Sequence, residues 1–352
     1  MPVALGPLMV DFAGTELTAE DRDILCHPLV GSAILFSRNY SDPQQLQELV
    51  AQVHALRDPP LVVAVDHEGG RVQRFRKHFT VLPAMRLVGH RYDIDAAEAL
   101  ETARACGWLL ASELLAVGID LSFAPVVDLD YAVSEVIGDR AFHRDADAVG
   151  ALAFACMSGM REAGMASVAK HFPGHGAVVA DSHFALPIDR RELADMDEDI
   201  APYRRLIANG LVAIMAAHVQ FPRVDELPAS LSRRWITDVL RGDLRFHGVV
   251  FADDLNMAGA TVVGSMVKRA ELALEAGCDV LPVCNNRAGV VELLDNLQHQ
   301  PDAASQARLV RLHGRPAAAR EQLLASARWQ AANERVLQTM QPPQLSLDAG
   351  RA

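Results

Sequence analysis

The stretch Leu61-Val62-Val63-Ala64-Val65-Asp66 is a short run of apolar, mostly β-branched residues that ends at a carboxylate. Such a run predicts a strand of a parallel sheet, because strands that are covered on both faces are apolar throughout. Similar runs recur between longer segments of helical period at Leu8 to Phe12, Ala33 to Phe36, Asp120 to Val127, Ala166 to His171, Ala213 to His218, Val249 to Asp253 and Asp279 to Val283. Strands that alternate with helices in this number favour an α/β fold, a single (β/α)8 TIM-type barrel, over an open doubly wound sheet.

Helical segments fill the intervals between these runs. Asp42-Pro43 supplies a cap and a first-turn proline for one helix. Asp189 and Glu192 are a capping-box-like pair that predicts a second helix, which closes at Gly210. Two further helices are predicted at Ala96 to Ala116 and at Met266 to Ala276. The barrel is predicted to occupy residues 1–300, and residues 301–352 are predicted to form a C-terminal helical extension and a tail.

Charge and composition exclude several classes of protein. The formal net charge of −12 provides no basic field for a nucleic acid or an anionic membrane surface, and no uncharged apolar stretch is long enough for a transmembrane helix. The five cysteines are widely spaced without a C-x-x-C pair, and the N-terminus lacks the basic region of a signal peptide. We therefore expect a cytoplasmic protein with no nucleic-acid partner and no membrane partner, and a monomer is the default expectation.

Polar residues stand at the ends of several predicted strands, which is where a TIM barrel carries its active site. One of them opens the segment 66–74, Asp66-His67-Glu68-Gly69-Gly70-Arg71-Val72-Gln73-Arg74. Its carboxylates and guanidinium groups suit carbohydrate hydroxyls, although a salt-bridged turn explains this segment equally well on its own. Its glycines do not match a dinucleotide or phosphate-binding pattern, so no nucleotide cofactor is expected.

A second polar segment is Lys170-His171-Phe172-Pro173-Gly174-His175-Gly176, which continues to Asp181-Ser182-His183. An imidazole beside a carboxylate can be held in one tautomer and titrate near neutrality, as a general acid/base requires. The spacing lacks an H-E-x-x-H or a short H-x-H pair, yet a zinc site remains open as an alternative. Its ligands would be His171, His175, Asp181 and His183.

A third segment, Val249-Val250-Phe251-Ala252-Asp253-Asp254-Leu255-Asn256-Met257, ends an apolar strand with two consecutive carboxylates. Successive strand residues point in opposite directions, so only one carboxylate enters the barrel mouth, where it could act as a nucleophile. When the segment is taken alone, helix capping is the better explanation of both carboxylates. Arg140 by itself indicates a surface charge, and His218 by itself indicates a satisfied buried histidine.

Taken together and in this order, these segments resemble the family 3 glycoside hydrolases from about residue 5 to about residue 300. The resemblance implies that Asp253 is a nucleophile that forms a covalent glycosyl intermediate. It also implies that His183 is the acid/base, oriented by Asp181, and that the chemistry needs no metal or other cofactor. The residues implied to bind the terminal sugar are Asp66, Arg74, Arg140, Lys170 and His171.

Two departures from the family pattern bear on these expectations. Ala177 and Val178 stand where the family usually continues with Asp-Thr, which could alter the hydrogen bonding around His183. His67 stands where glutamine is more usual, and we expect that change to be tolerated.

The activity implied by the resemblance is that of an exo-acting, retaining β-N-acetylglucosaminidase with a small carbohydrate substrate, a muropeptide from the bacterial cell wall. A phosphorylase of the same family, in which phosphate rather than water attacks the intermediate, is one alternative. A metal-dependent barrel hydrolase that uses the zinc ligands named above is another. A sugar-binding barrel without catalysis is disfavoured, because candidates for both the nucleophile and the acid/base are present.

Overall fold

The computed structural model describes residues 4–179, 186–300, 302–316 and 318–341. Within that part of the chain, parallel strands overlap each of the eight predicted apolar runs. In chain order they are β1 (Leu8–Val10), β2 (Val30–Leu35), β3 (Val62–Val65), β4 (Leu121–Ser122), β5 (Val168–Phe172), β6 (Ala213–Ala216), β7 (Val249–Ala252) and β8 (Leu281–Val283). The predicted set of barrel strands is therefore confirmed.

The strands close into a ring. One parallel sheet has the order β8-β1-β2-β3-β4, and a second has the order β5-β6-β7. Isolated parallel bridges join the two sheets at both seams: Leu121 with Ala166 and Val126 with Lys170 on one side, and Phe251 with Val280 on the other. Consecutive strands are thus neighbours all the way around, which confirms the predicted (β/α)8 TIM-type barrel.

Helices occupy the crossovers and the C-terminal region. They are α1 (Ala19–Cys26), α2 (Pro43–His54), α3 (Met85–Tyr92), α4 (Ala96–Leu115), α5 (Ala146–Ala163), α6 (Asp197–Ala208), α7 (Met266–Ala276), α8 (Arg287–Asn296), α9 (Ala303–Leu309), α10 (Arg320–Ala325) and α11 (Ala327–Met340), with a π-helix at Arg234–Asp243 between β6 and β7. No helix among the described residues is long and apolar enough to cross a lipid bilayer.

Two of the predicted helix starts had different outcomes. Asp42 caps α2 as expected, because its Oδ1 accepts hydrogen bonds from the backbone N–H groups of Gln44 and Gln45, both at 3.0 Å. The prediction for Asp189 is wrong: its carboxylate accepts from the backbone and side chain of Arg191 instead of capping a helix. The helical path starts only at Leu193, with a 3-10 turn that leads into α6.

The C-terminal helices pack on the barrel rather than apart from it. Gln306 of α9 exchanges hydrogen bonds with both the backbone N–H and the C=O of Leu5, at 2.9 and 2.7 Å. Trp329 of α11 donates its indole N–H to Glu113 of α4 at 2.7 Å. The expected helical character of this region is confirmed for its described residues, while the boundary at residue 300 stays a prediction.

Candidate active site

A cavity of about 350 Å³ opens at the carboxyl ends of the barrel strands. Its lining includes every predicted sugar-binding residue and the predicted nucleophile, that is Asp66, Arg74, Arg140, Lys170, His171 and Asp253. The predicted acid/base His183 and its partner Asp181 lie outside the described residues. Sequence positions far apart in the chain therefore meet at one end of the barrel.

Asp66 follows β3 directly and is the first charged group of the cavity. Behind it, the antiparallel segments His67–Gly69 and Val72–Gln73 form a hairpin that returns Arg74 to the same place. Lys170 Nζ lies 3.0 Å from Asp66 Oδ1, and Arg74 Nη2 lies 3.3 Å from Oδ2. Burial alone would raise the pKa of Asp66, but the two cations outweigh it and hold the pKa well below its usual range, so the carboxylate is ionised.

Gly69 shows why this hairpin is tight. Its φ is +117°, and a Cβ at this position would lie 2.5 Å from the carbonyl oxygen of Pro83. Only glycine combines that backbone conformation with so close an approach.

Glu68 lies between two of the predicted sugar-binding cations. It accepts two hydrogen bonds from the guanidinium of Arg140, at 2.9 and 2.8 Å, and lies 2.6 Å from Lys170 Nζ. Burial would raise the pKa of Glu68, but Arg140 and Lys170 lower it to about 2. Taken alone, Arg140 indicated a surface charge; that interpretation is wrong, because its side chain is only 10% exposed and is paired in the barrel mouth.

A second buried carboxylate, Asp128, organises the histidines of the Lys170–Gly176 segment. Its Oδ2 accepts from His171 Nδ1 at 2.7 Å, and its Oδ1 accepts from the backbone N–H of His175 at 2.7 Å. Burial would raise the pKa of Asp128, but His171 lowers it, so the carboxylate is the acceptor and the imidazole Nδ1 is the donor. His171 is therefore fixed in one orientation against the cavity.

Asp253 follows β7 in the same way that Asp66 follows β3. Its backbone N–H donates to the carbonyl oxygen of Ala216 at 3.0 Å, and its Oδ1 accepts from the backbone N–H of Asp254 at 2.9 Å. His218, at the end of β6, is fully buried and binds Ser230 Oγ and the carbonyl oxygen of Asp254. The interpretation of His218 as a satisfied buried histidine is confirmed.

The histidines that line the cavity were also candidate metal ligands. Within residues 4–179, 186–300, 302–316 and 318–341, no group of three or more His, Cys, Asp or Glu side chains is arranged to hold a metal ion. The rings of His171 and His175 lie 6.0 Å apart, and the other two suggested zinc ligands lie outside the described residues.

Sequence reasoning named no role for Glu68 or Asp128, although both carry signals. Glu68 lies two residues after Asp66, and residues two apart in an extended chain share a face. A shared cationic partner for the two carboxylates could therefore have been predicted, and the structure shows that it is Lys170. Asp128 directly follows the apolar run Asp120 to Val127, the same position relative to its strand that marked Asp66 and Asp253.

Comparisons with known proteins agree with this geometry. Residues 6–313 match the Glycosyl hydrolase family 3 N terminal domain. The β-hexosaminidase of Thioalkalivibrio sulfidiphilus is 52% identical over 98% of this chain and 100% of that protein. The β-hexosaminidase of Aromatoleum aromaticum is 56% identical over 90% of this chain and 89% of that protein.

A solved structure is similar over nearly the whole chain. It is the crystal structure of NagZ from Neisseria gonorrhoeae in complex with N-trifluoroacetyl-D-glucosamine, with a TM-score of 0.92 and 43% identity over 97% of this chain and 100% of that one. The sequence match, the relatives and the barrel agree. The chain therefore belongs to glycosyl hydrolase family 3, and it is a glycoside hydrolase.

Proposed function

We propose that this β-hexosaminidase is an exo-acting, retaining β-N-acetylglucosaminidase that removes terminal N-acetylglucosamine from cell-wall fragments in the cytoplasm. The substrate we propose is N-acetylglucosamine linked β-1,4 to anhydro-N-acetylmuramic acid, with or without its peptide. The N. gonorrhoeae enzyme is bound to an N-acylglucosamine, which supports a sugar of this class.

The observation that carries the proposal is the combination of a small cavity with a ring of fixed charges. At about 350 Å³ the cavity is near the lower end of the range for ligand pockets, roughly 300–1,000 Å³, and suits one sugar ring. Ion pairs hold these charges in place: Lys170 pairs with Asp66 and with Glu68, and Arg140 pairs with Glu68. Groups held in this way can bind hydroxyls with little reorganisation, which suits recognition of a terminal sugar.

In the first chemical step, a carboxylate oxygen of Asp253 attacks the anomeric carbon. The bond from that carbon to the leaving oxygen breaks, and a glycosyl ester of Asp253 forms. His183 gives a proton to the leaving oxygen, and Asp181 orients its imidazole. The roles of His183 and Asp181 rest on the family resemblance of the segment that contains them.

In the second step, water attacks the same carbon and His183 takes its proton. The ester bond to Asp253 breaks, so the sugar leaves with its original anomeric configuration. Asp66, Arg74, Lys170, His171 and Arg140 bind the hydroxyl and acetamido groups in both steps. His171 uses Nδ1 to donate to Asp128, which leaves Nε2 as the ring nitrogen for a hydrogen bond with a sugar hydroxyl.

The cysteines and the cavity lining support the proposed location and assembly. All five cysteines lie in the described residues and are free thiols, as in a reducing compartment. The proposed sugar-binding residues and Asp253 all line the cavity of this chain, and we propose that the enzyme is a monomer.

The test is hydrolysis of an aryl β-N-acetylglucosaminide by the wild type and by Asp253→Ala, in buffer with a chelator and without phosphate. We expect turnover by the wild type and almost none by Asp253→Ala. NMR of the first product formed should show the β-anomer. Asp243→Ala is the matched control, because Asp243 is exposed and does not line the cavity.

Other results point to the alternatives. Loss of wild-type turnover in chelator would favour the metal-dependent hydrolase, and turnover only with added phosphate would favour the phosphorylase. Formation of the α-anomer first would contradict the retaining mechanism. Release of N-acetylglucosamine from the anhydromuramyl disaccharide, measured under the same conditions, tests the substrate.

A further inference from the structure

Asp254, which follows the proposed nucleophile, is held through three of its own groups. Its backbone N–H donates to Asp253 Oδ1 at 2.9 Å. Its carboxylate Oδ1 accepts from the backbone N–H groups of Asn256 and Cys284, each at 3.0 Å. Its carbonyl oxygen accepts from His218 Nε2 at 2.9 Å. A residue tied in this way to the ends of β6 and β8 has little freedom to move.

The tautomer of His218 follows from its partners. A carbonyl oxygen can only accept, so Nε2 must carry the proton that it donates to Asp254. Nδ1, 2.5 Å from Ser230 Oγ, is then the acceptor, and the serine hydroxyl is the donor. Burial lowers the pKa of His218, which agrees with a neutral ring. The imidazole thus bridges the Ser230 hydroxyl and the backbone carbonyl of Asp254, and these two hydrogen bonds fix its orientation.

We propose that Asp254 is a positioning residue that fixes the Asp253 carboxylate for attack, and that His218 acts through Asp254. The hydrogen bond from the Asp254 N–H fixes the rotation of the Asp253 side chain, and the other contacts of Asp254 fix that N–H. The inference rests on the proposed function, in which Asp253 is the nucleophile. Neither Asp254 nor His218 needs to touch the sugar for this role.

Charged and titratable groups reach Asp254 from several elements. Asp253 precedes it, and Asp11 follows β1. Cys284 lies at the end of β8, His218 at the end of β6, and Arg269 on α7. Burial, together with the charges of Asp253 and Asp11, raises the pKa of Asp254 to about 7, against the lowering effect of its two backbone donors. Asp254 therefore carries a proton below neutrality.

Two matched pairs of variants test the role. Asp254→Asn keeps an oxygen that can accept from Asn256 and Cys284, whereas Asp254→Ala removes it. His218→Gln keeps a donor for Asp254 and an acceptor for Ser230, whereas His218→Leu removes both. We expect Asp254→Ala and His218→Leu to lower kcat by about 100-fold, since small misplacements of a reacting group cost that much. KM should change little, and Asp254→Asn and His218→Gln should recover most of kcat.

The pH dependence separates positioning from general stability. Asparagine resembles the protonated carboxyl, so the wild type and Asp254→Asn should agree best at about pH 6 and diverge by about pH 8. Melting temperatures and the active fraction of each variant, by burst titration, correct for misfolding. Wild-type kcat in folded Asp254→Ala would overturn the inference, as would a loss of kcat in Asp254→Asn as large as that in Asp254→Ala. Turnover by Asp253→Ala would instead overturn the proposed function itself.

Discussion

Glu68 gives the clearest energetic test at the scale of single residues. It is almost fully buried and pairs with both Arg140 and Lys170, so removing its charge leaves two buried cations short of a partner. We expect Glu68→Gln to lower the free energy of unfolding by about 3 kcal/mol. Asp139→Asn is the control: its pair with Arg71 is about half exposed on both sides and should be worth less than about 1 kcal/mol.

Urea unfolding of the two variants measures this difference directly. Equal losses would mean that the buried cluster contributes no more than a surface ion pair. A higher KM for Glu68→Gln would in addition support the view that Glu68 keeps Arg140 and Lys170 in place for the sugar.

His67 predicts a pH dependence of stability with a definite sign. Burial, aided by Arg76 and Arg74, lowers its pKa in the folded protein to about 3, against about 6.5 in the unfolded chain. Below pH 6.5 the unfolded chain binds a proton that the folded protein does not, so stability is lost as the pH falls from 6.5 towards 3. This loss amounts to about 2 kcal/mol at pH 5.

His67→Gln should remove that part of the pH dependence, and His247→Gln, at an exposed position, should not. Chemical denaturation between pH 5 and pH 7.5 would measure both. Parallel curves for the wild type and His67→Gln would show that the imidazole titrates alike in the folded and unfolded states.

At the scale of single residues, the sequence predicted some of the site residues because a charged side chain directly follows an apolar run. Asp66 and Asp253 each end an apolar run, so their position at the barrel mouth followed from the strand pattern. The pairing of Glu68 with Arg140 did not, because 72 residues separate them and the loop that carries Arg140 has no periodic pattern. Whether an arginine is buried depends on where its partner lies in space.

At the scale of secondary structure, α2 offers a test of a predicted cap. Asp42 accepts from two backbone N–H groups that have no partner within the helix, so Asp42→Ala should cost about 1 kcal/mol. Glu48→Ala, on an exposed position of the same helix, should stay within about 0.5 kcal/mol of the wild type. Thermal unfolding of both proteins would reveal the difference, and equal melting temperatures would show that the cap is dispensable.

The elements also show why some helix starts could not be read from sequence. The pair Asp189 and Glu192 has the spacing of a capping box, but Arg191 lies between them and binds Asp189 together with Asp199. The backbone N–H and the guanidinium of Arg191 both bind the Asp189 carboxylate, so that it does not cap the start of a helix. The strands were easier to predict, because a continuous apolar run has no such competing partner.

At the scale of the whole molecule, residues 302–316 brace the barrel at the starts of its strands, the end opposite the cavity. Asp279, at the start of the last predicted run, is 4% exposed and accepts from Arg308 of α9 and from Arg241. The backbone N–H of Gly314 donates to Asp120 at 3.0 Å. These contacts satisfy buried carboxylates that the barrel alone would leave short of partners.

The last prediction follows from that arrangement. A chain cut after residue 300 exposes the surface covered by α9 and α11 and leaves Asp279 with only Arg241 and the backbone N–H of Val250 among its described partners. We expect it to lose cooperative unfolding and activity, although none of the cavity-lining residues is removed. In the full chain, Arg308→Ala should cost about 2 kcal/mol, as loss of hydrogen bonds to a charged group does. Arg311→Ala, at an exposed position nearby, should cost far less. Circular dichroism melts and aryl glycoside turnover would decide the matter: a cut chain with the wild-type melting temperature would mean that residues 301–352 are an appendage, whereas its collapse would make them part of the catalytic unit.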